Sequence, residues 1–413
     1  MNCNFHRFLG LSLRVLAALG VISAAITASA QEGFTQDGRA GFVVSHIKYA
    51  LAEDADKTGA CPTGMTEGYA SAGEVFVNAP ELAQLEGEKE QDHVRRIFRA
   101  AFSDTEIKNL CQNPEMGKPN PSFKTVTGPN VIVSGIDLDG VNSDGGDKPG
   151  RGSCKHEDFA GMNGETGIDN QMYRVVGCSK SYQSTGQSNT WDIVMYTGAW
   201  GILITLDGLD DIRNDDSVEV GFYANSDPMQ LSPTREALPY STYAIEQDPR
   251  YRATAKGRIV DGVLTTDPVD MRFHWIVNSI RLDRPLEDAR VRLTLSEDGK
   301  LEGYLGGYTN VEDLYNFKYG FRNGTDGTGQ LAPIRLRAGS SIGQARVLGH
   351  TCEGAYYALY EHADANPDPD TGRCTAISIQ YKIEAIPAFV VDTETQSLNE
   401  ELDEAGNRRP VGY

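Results

Sequence analysis

From about Val131 onward the apolar positions recur with a period of two, in short runs separated by glycine, asparagine and aspartate. Stretches 191–196, 201–206, 218–224, 291–295 and 376–383 are rich in β-branched and aromatic residues, which suit a pleated, half-buried surface. Two hairpins are explicit. Gly257–Val260 and Val263–Thr265 are separated only by Asp261-Gly262, a pair that accepts the left-handed backbone of a two-residue turn. Arg290–Leu295 meets Lys300–Leu305 across 296–299, and Val291, Leu293 and Leu295 alternate with polar neighbours, so one face is buried and the other wet. Many short antiparallel strands over 127–393 predict a mainly β domain, a β-sandwich of jelly-roll or concanavalin-like type.

Residues 31–126 read differently, as a small helical N-terminal region. Val94, Ile97, Phe98, Ala101 and Phe102 recur at helical spacing, and Ser103 with Glu106 has the form of a capping box. Asn113-Pro114, Gly117, Pro119, Pro121 and Gly128-Pro129 are dense in turn formers and mark the boundary. A late helix is expected where Ala355, Ala358, Leu359 and His362 share a face, ending before Asn366-Pro367. Residues 394–413 are charged and turn-rich and read as a flexible tail.

The first thirty residues change the picture. Arg7 and Arg14 precede an apolar run from Val15 to Ile26, which gives way to Thr27-Ala28-Ser29-Ala30. That is a charged start, an apolar segment short for a bilayer and a small-residue cleavage site, the pattern of a signal peptide over 1–30. The expected location is therefore periplasmic or secreted. Against 38 basic residues stand 58 acidic ones, and loss of Arg7 and Arg14 takes the net charge to about −22. Such a balance repels phosphate backbones and anionic lipid, which argues against nucleic acid as a partner. No second apolar stretch is long enough for a membrane span.

Cys3 leaves with the leader, and Cys61, Cys111, Cys154, Cys178, Cys352 and Cys374 remain. An even number in an exported chain predicts disulfides, and grouping along the chain favours sequential bridges such as Cys154–Cys178 and Cys352–Cys374. No pair has the C-x-x-C spacing of a metal or redox site.

Two acidic loops and one mixed cluster carry the candidate chemistry. Asp137, Asp139 and Asp144 stand among glycines, and Asp364, Asn366, Asp368 and Asp370 alternate regularly. Hard oxygens at such spacing suit calcium, although neither loop has EF-hand register, and the same residues also build plain solvated turns. Between Cys154 and Cys178 lie His156, Asp158, Asp169, Gln171 and Arg174. Asp169, Gln171 and Tyr173 are expected on one face of a strand, where a carboxylate and an amide near a guanidinium and an imidazole either bind a glycan or other small ligand or satisfy one another. No nucleophile elbow, H-E-x-x-H or nucleotide fingerprint is present.

Asp158-Phe159 through Gly164, Gly167-Ile168-Asp169-Asn170-Gln171, Arg174 and Gly177-Cys178 belong to a longer series. With Leu305-Gly306-Gly307-Tyr308, Ala363-Asp364-Ala365-Asn366-Pro367-Asp368-Pro369 and Ala385-Ile386-Pro387-Ala388-Phe389, they resemble a family of exported bacterial proteins to which no activity is assigned. The resemblance runs from about Cys61 to Val391 and implies one long unit in the cell envelope or outside it; it supplies no catalytic residues. The leading expectation is a non-catalytic binding or structural protein, its oligomeric state open. The alternative is a polysaccharide lyase or glycoside hydrolase, by analogy with concanavalin-like sheets.

Overall fold

Asp261 and Gly262 adopt φ of 51° and 79°, so Val260 and Val263 face each other across a two-residue turn whose twist matches the strands it joins. A Cβ on Gly262 would come no closer than 3.3 Å to the mobile end of Arg213, so Gly262→Val should cost mainly backbone strain. We expect a loss of about 1–2 kcal/mol, read as a lower urea midpoint. An unchanged midpoint would show that the turn has another conformation.

The computed structural model describes residues 34–51, 59–66, 83–102, 113–128, 131–142, 154–183, 186, 195–196, 200–225, 227–277, 280–315, 319–321, 334–337, 351–393, 400–402 and 408–410. The leader 1–30, the Ser103–Glu106 box, Cys111, Asp144 and residues 191–194 lie outside them.

Eight strands form the core: β1 (Arg39–Tyr49), β2 (Gly201–Asp207), β3 (Asp215–Asn225), β4 (Arg252–Val260), β5 (Val263–Thr266), β6 (Ile280–Leu295), β7 (Leu301–Asn310) and β8 (Cys374–Val391). Each pairs antiparallel with the next, and β8 returns to pair with β1, Ile383 opposite Ile47. The chain is mainly β, and its sheet closes into an eight-stranded up-and-down barrel where a two-sheet sandwich was expected. Period-two alternation and tight hairpins serve both architectures. What decides is the partner of the last strand, and that partner, β1, lies in the region read as helical.

Phe42, Ile47, Ile204, Phe222, Ile259, Leu264, Leu293, Leu305, Ile379 and Tyr381 are all buried within the ring. Eight strands enclose just enough space for such side chains to fill. Glu219, Lys256, Arg258 and Glu302 point outward and are exposed, the reverse of the apolar outer band of a membrane-spanning barrel. No described helix is long and apolar enough to cross a membrane.

Among the described residues, helices α1 (Glu90–Phe102), α2 (Gln171–Val176), α3 (Val311–Tyr315) and α4 (Cys352–Glu361) lie outside the ring. α1 and α4 stand where the helical spacing put them, and the Thr351 side chain caps α4 by accepting from the Gly354 amide. α2 is a correction, because 169–174 was expected as a strand. Gln171, Met172, Tyr173, Val175 and Val176 are buried, so packing on several sides overrides a Val/Tyr-rich composition. Met195 and Tyr196 likewise fall in a helical turn. The strand Val269–Val277 pairs with the first half of β6. Strands at 319–321, 334–337, 400–402 and 408–410 extend that ribbon, so two short pieces of the expected tail are paired.

The disulfides also depart from the sequential pattern. Cys61 joins Cys178 across 117 residues, with Cα atoms 5.7 Å apart, and Cys154 joins Cys374 across 220, at 6.3 Å. Cys352 is disulfide-bonded as well. Nearness along the chain does not decide nearness in space once the outer layer is laid back over β8. These bridges suit an oxidising compartment.

Candidate functional site

β8 carries Ile377, Ile379 and Tyr381 inward, so Ser378 and Gln380 point outward, yet both are buried beneath segments 131–142 and 154–176. Gln380 accepts from the Ile136 amide through Oε1 (2.7 Å) and donates through Nε2 to the carbonyls of Ile136 (2.7 Å) and Asp169. Ser378 Oγ accepts from the Gln171 amide at 2.8 Å, and the Ser378 amide donates to Asp364 Oδ1 at 2.7 Å. One outward face of one strand thus holds the whole layer.

Phe159 and Ile168 exchange backbone hydrogen bonds, closing a small clasp whose glycine turn brings residues 154–158 beside Asp169. Gly167, at φ 75°, sits where a Cβ would press on the Asp137 carboxylate at 3.1 Å. His156 Nδ1 lies 2.6 Å from the Cys154 carbonyl. His156 Nε2 lies 2.7 Å from Asp158 Oδ1 and 3.0 Å from Asp169 Oδ1, with His156 and both acids almost wholly buried. Asp169 Oδ2 accepts from the amides of Leu138 (2.5 Å) and Asp139 (3.2 Å). A carboxylate oxygen of Asp139 comes within 4.8 Å of a ring nitrogen of His156 and of a carboxylate oxygen of Asp169. Asp364 lies fully buried in the same layer.

The electrostatics follow from this crowding. Burial opposes charge on His156, but the Asp158 and Asp169 carboxylates and the charge of Asp364 raise its pKa to about 11. Burial pushes Asp364 up to about 7 and Asp169 up to about 6, against the pull of the imidazolium. Tyr308, packed over these acids, is pushed up as well, first by burial.

A groove of about 830 Å³ opens beside the cluster, lined by Val126, Val131, Ile132, Lys155, His156, Glu157, Asp158, Phe159, Gln171, Arg174, Glu361 and His362, among others. Of the five residues singled out as ligand-binding, His156, Asp158, Gln171 and Arg174 line it, and Asp169 stands behind His156. Arg174 Nε donates to Gln171 Oε1, while Gln171 Nε2 and Arg174 Nη2 both donate to the Glu157 carbonyl. The guanidinium also lies 4.3 Å from the centre of the Phe159 ring. These two residues brace the wall. His362 Nε2 is buried with no hydrogen-bond partner, and burial, with the charge of Arg174, lowers its pKa to about 4.

The described residues of the acidic loops have separate partners, except Asp139, which lies with His156 and Asp169. Asp364 is buried on the cluster side, Asn366 donates to Glu287, and Asp368 Oδ1 accepts from the amides of Asp370 and Thr371. Pairing of 365–367 with β8 stretches the segment, and strand geometry sets alternate residues about 6.6 Å apart along it. Asp137 Oδ1 accepts from the Gly140 amide at 2.6 Å, as in an ordinary turn. Sequence reasoning passed over Gln380 and Ser378, because nothing local shows that an outward strand face will be covered, and it read His362 only as part of the packing face of the late helix.

Comparison with known protein families, with curated proteins and with solved structures finds no match to this chain.

Proposed function

We propose that this chain is an exported, non-catalytic binding protein that takes a neutral, hydroxylated ligand, a short glycan, into the groove beside His156. The observation that carries the reading is His362, a residue lining the groove whose buried Nε2 has no hydrogen-bond partner in the protein. Such atoms are costly unless a ligand or water satisfies them. The charges on the wall balance, Lys155, Arg174 and the His156 imidazolium against Glu157, Asp158 and Glu361, so a strongly charged ligand would meet as much repulsion as attraction. The exposed Ile132, backed by the buried Val126 and Val131, offers an apolar contact to the C–H face of a sugar.

Binding is favoured over catalysis because Gln171 and Arg174 are spent on bracing the wall and, among the described residues, neither serine nor cysteine lines the groove. The fold analogy behind a polysaccharide-cleaving enzyme rested on an open sandwich sheet, which a closed barrel does not supply. The disulfides and the leader-like first thirty residues support export.

Calorimetric titration with a panel of neutral oligosaccharides is the test. At least one should bind, and His362→Leu should weaken it about tenfold while leaving the melting temperature nearly unchanged. Binding confined to anionic sugars, or unaffected by His362→Leu, would remove the reading.

A further inference from the structure

Two carboxylate oxygens compete for one imidazole nitrogen at the centre of the buried layer. Asp158 Oδ1 and Asp169 Oδ1 stand 2.7 and 3.0 Å from His156 Nε2, which can carry a single hydrogen. The other ring nitrogen, Nδ1, faces the Cys154 carbonyl at 2.6 Å, and a carbonyl only accepts, so Nδ1 holds a hydrogen of its own. Fixing Nδ1–H in this way turns the Nε2 position toward the acids, the arrangement that orients metal-binding histidines.

Charge points the same way. Asp139, Asp158, Asp169 and Asp364 crowd round one imidazole, and the nearby guanidiniums are Arg174, spent on the carbonyls of Val126 and Glu157, and Arg290. Asp364 is wholly buried, and its Oδ2 has no hydrogen-bond donor. A buried carboxylate oxygen without a donor, in a layer already rich in acid, calls for a cation.

We propose that His156 Nε2, Asp139 and Asp169 hold a divalent transition-metal ion, with the Asp158 and buried Asp364 carboxylates adding negative charge beside them. One imidazole among carboxylates suits zinc or manganese, whereas calcium takes oxygen alone. The site differs from a calcium loop in being centred on His156, and it draws Asp139 from the first acidic loop and Asp364 from the second. It stands independently of the groove reading, since its test uses the metal alone.

The experiment is calorimetric titration of chelator-treated, disulfide-intact protein with Zn²⁺, Mn²⁺ and Ca²⁺, followed by metal analysis after desalting. One equivalent of Zn²⁺ or Mn²⁺ should stay bound and raise the melting temperature, as binding to the folded state requires. Asp139→Asn, at a half-buried loop position, should keep the circular dichroism spectrum and weaken that binding at least tenfold; His156→Gln should do the same. Absence of stoichiometric Zn²⁺ and Mn²⁺ would leave the cluster a proton-bridged ion-pair network and overturn the proposal. So would Ca²⁺ binding as tightly as either metal, or metal binding unchanged in Asp139→Asn.

Discussion

Joint replacement of Cys154 and Cys374 by alanine should lower the free energy of unfolding by about 3–5 kcal/mol and loosen the layer that carries His156. The bridge closes 220 residues, and in the chain-entropy model loops of that length are worth about 5 kcal/mol through the restriction they place on the unfolded chain. It also ties residue 154 to the first residue of β8, so it anchors the outer layer to the barrel wall. The Cys154 amide still donates to the Asp364 carbonyl, which keeps the local path of the chain. The barrel's far-ultraviolet dichroism should therefore persist while segment 154–176 becomes sensitive to limited proteolysis. Equilibrium urea unfolding supplies the energy, and peptide mapping without reduction checks the pairing. A fragment joined through Cys154 and Cys178 would overturn the assignment.

Asp169→Ala should be nearly as damaging, at about 3–5 kcal/mol, with a large fall in melting temperature. The carboxylate is fully buried, accepts two backbone amides from 138–139 and lies against His156, so its removal strands two donors and leaves an imidazole among the remaining acids. Asp368→Ala supplies the contrast. Asp368 is half-buried and caps only its own turn, and we expect at most about 1 kcal/mol. Thermal and urea unfolding of both variants decide it. Comparable small effects would mean that the layer over β8 reorganises around the missing carboxylate.

Much of this molecule was legible from local pattern. The Asp261-Gly262 and 296–299 hairpins, four of the five predicted strands and the helices at 90–102 and 352–361 follow from period, propensity and capping, which act between near neighbours. The cluster Cys154 to Cys178 was legible too, because histidine, acids, amide and arginine fall within 25 residues. Other features depended on partners far away. β1 takes its place from β8, more than 320 residues on, and without that pairing no closed barrel exists to distinguish from a sandwich. Gln171 and Tyr173 read as strand residues because alternation is all a short polar–apolar run can show, whereas burial on several sides makes the segment a helix.

Asp364 shows the division most clearly. By sequence it belongs to a regular acidic loop; in the folded chain it is buried beside His156 and Asp169 beneath the outer layer, while Asp370 stays exposed. Sequence alone determined which residues could carry charge, turn the chain or fill a core. Tertiary structure decided which strands close the ring, which cysteines meet and which acids share a buried space, because each of these depends on contacts between segments hundreds of residues apart, where local preference has no reach.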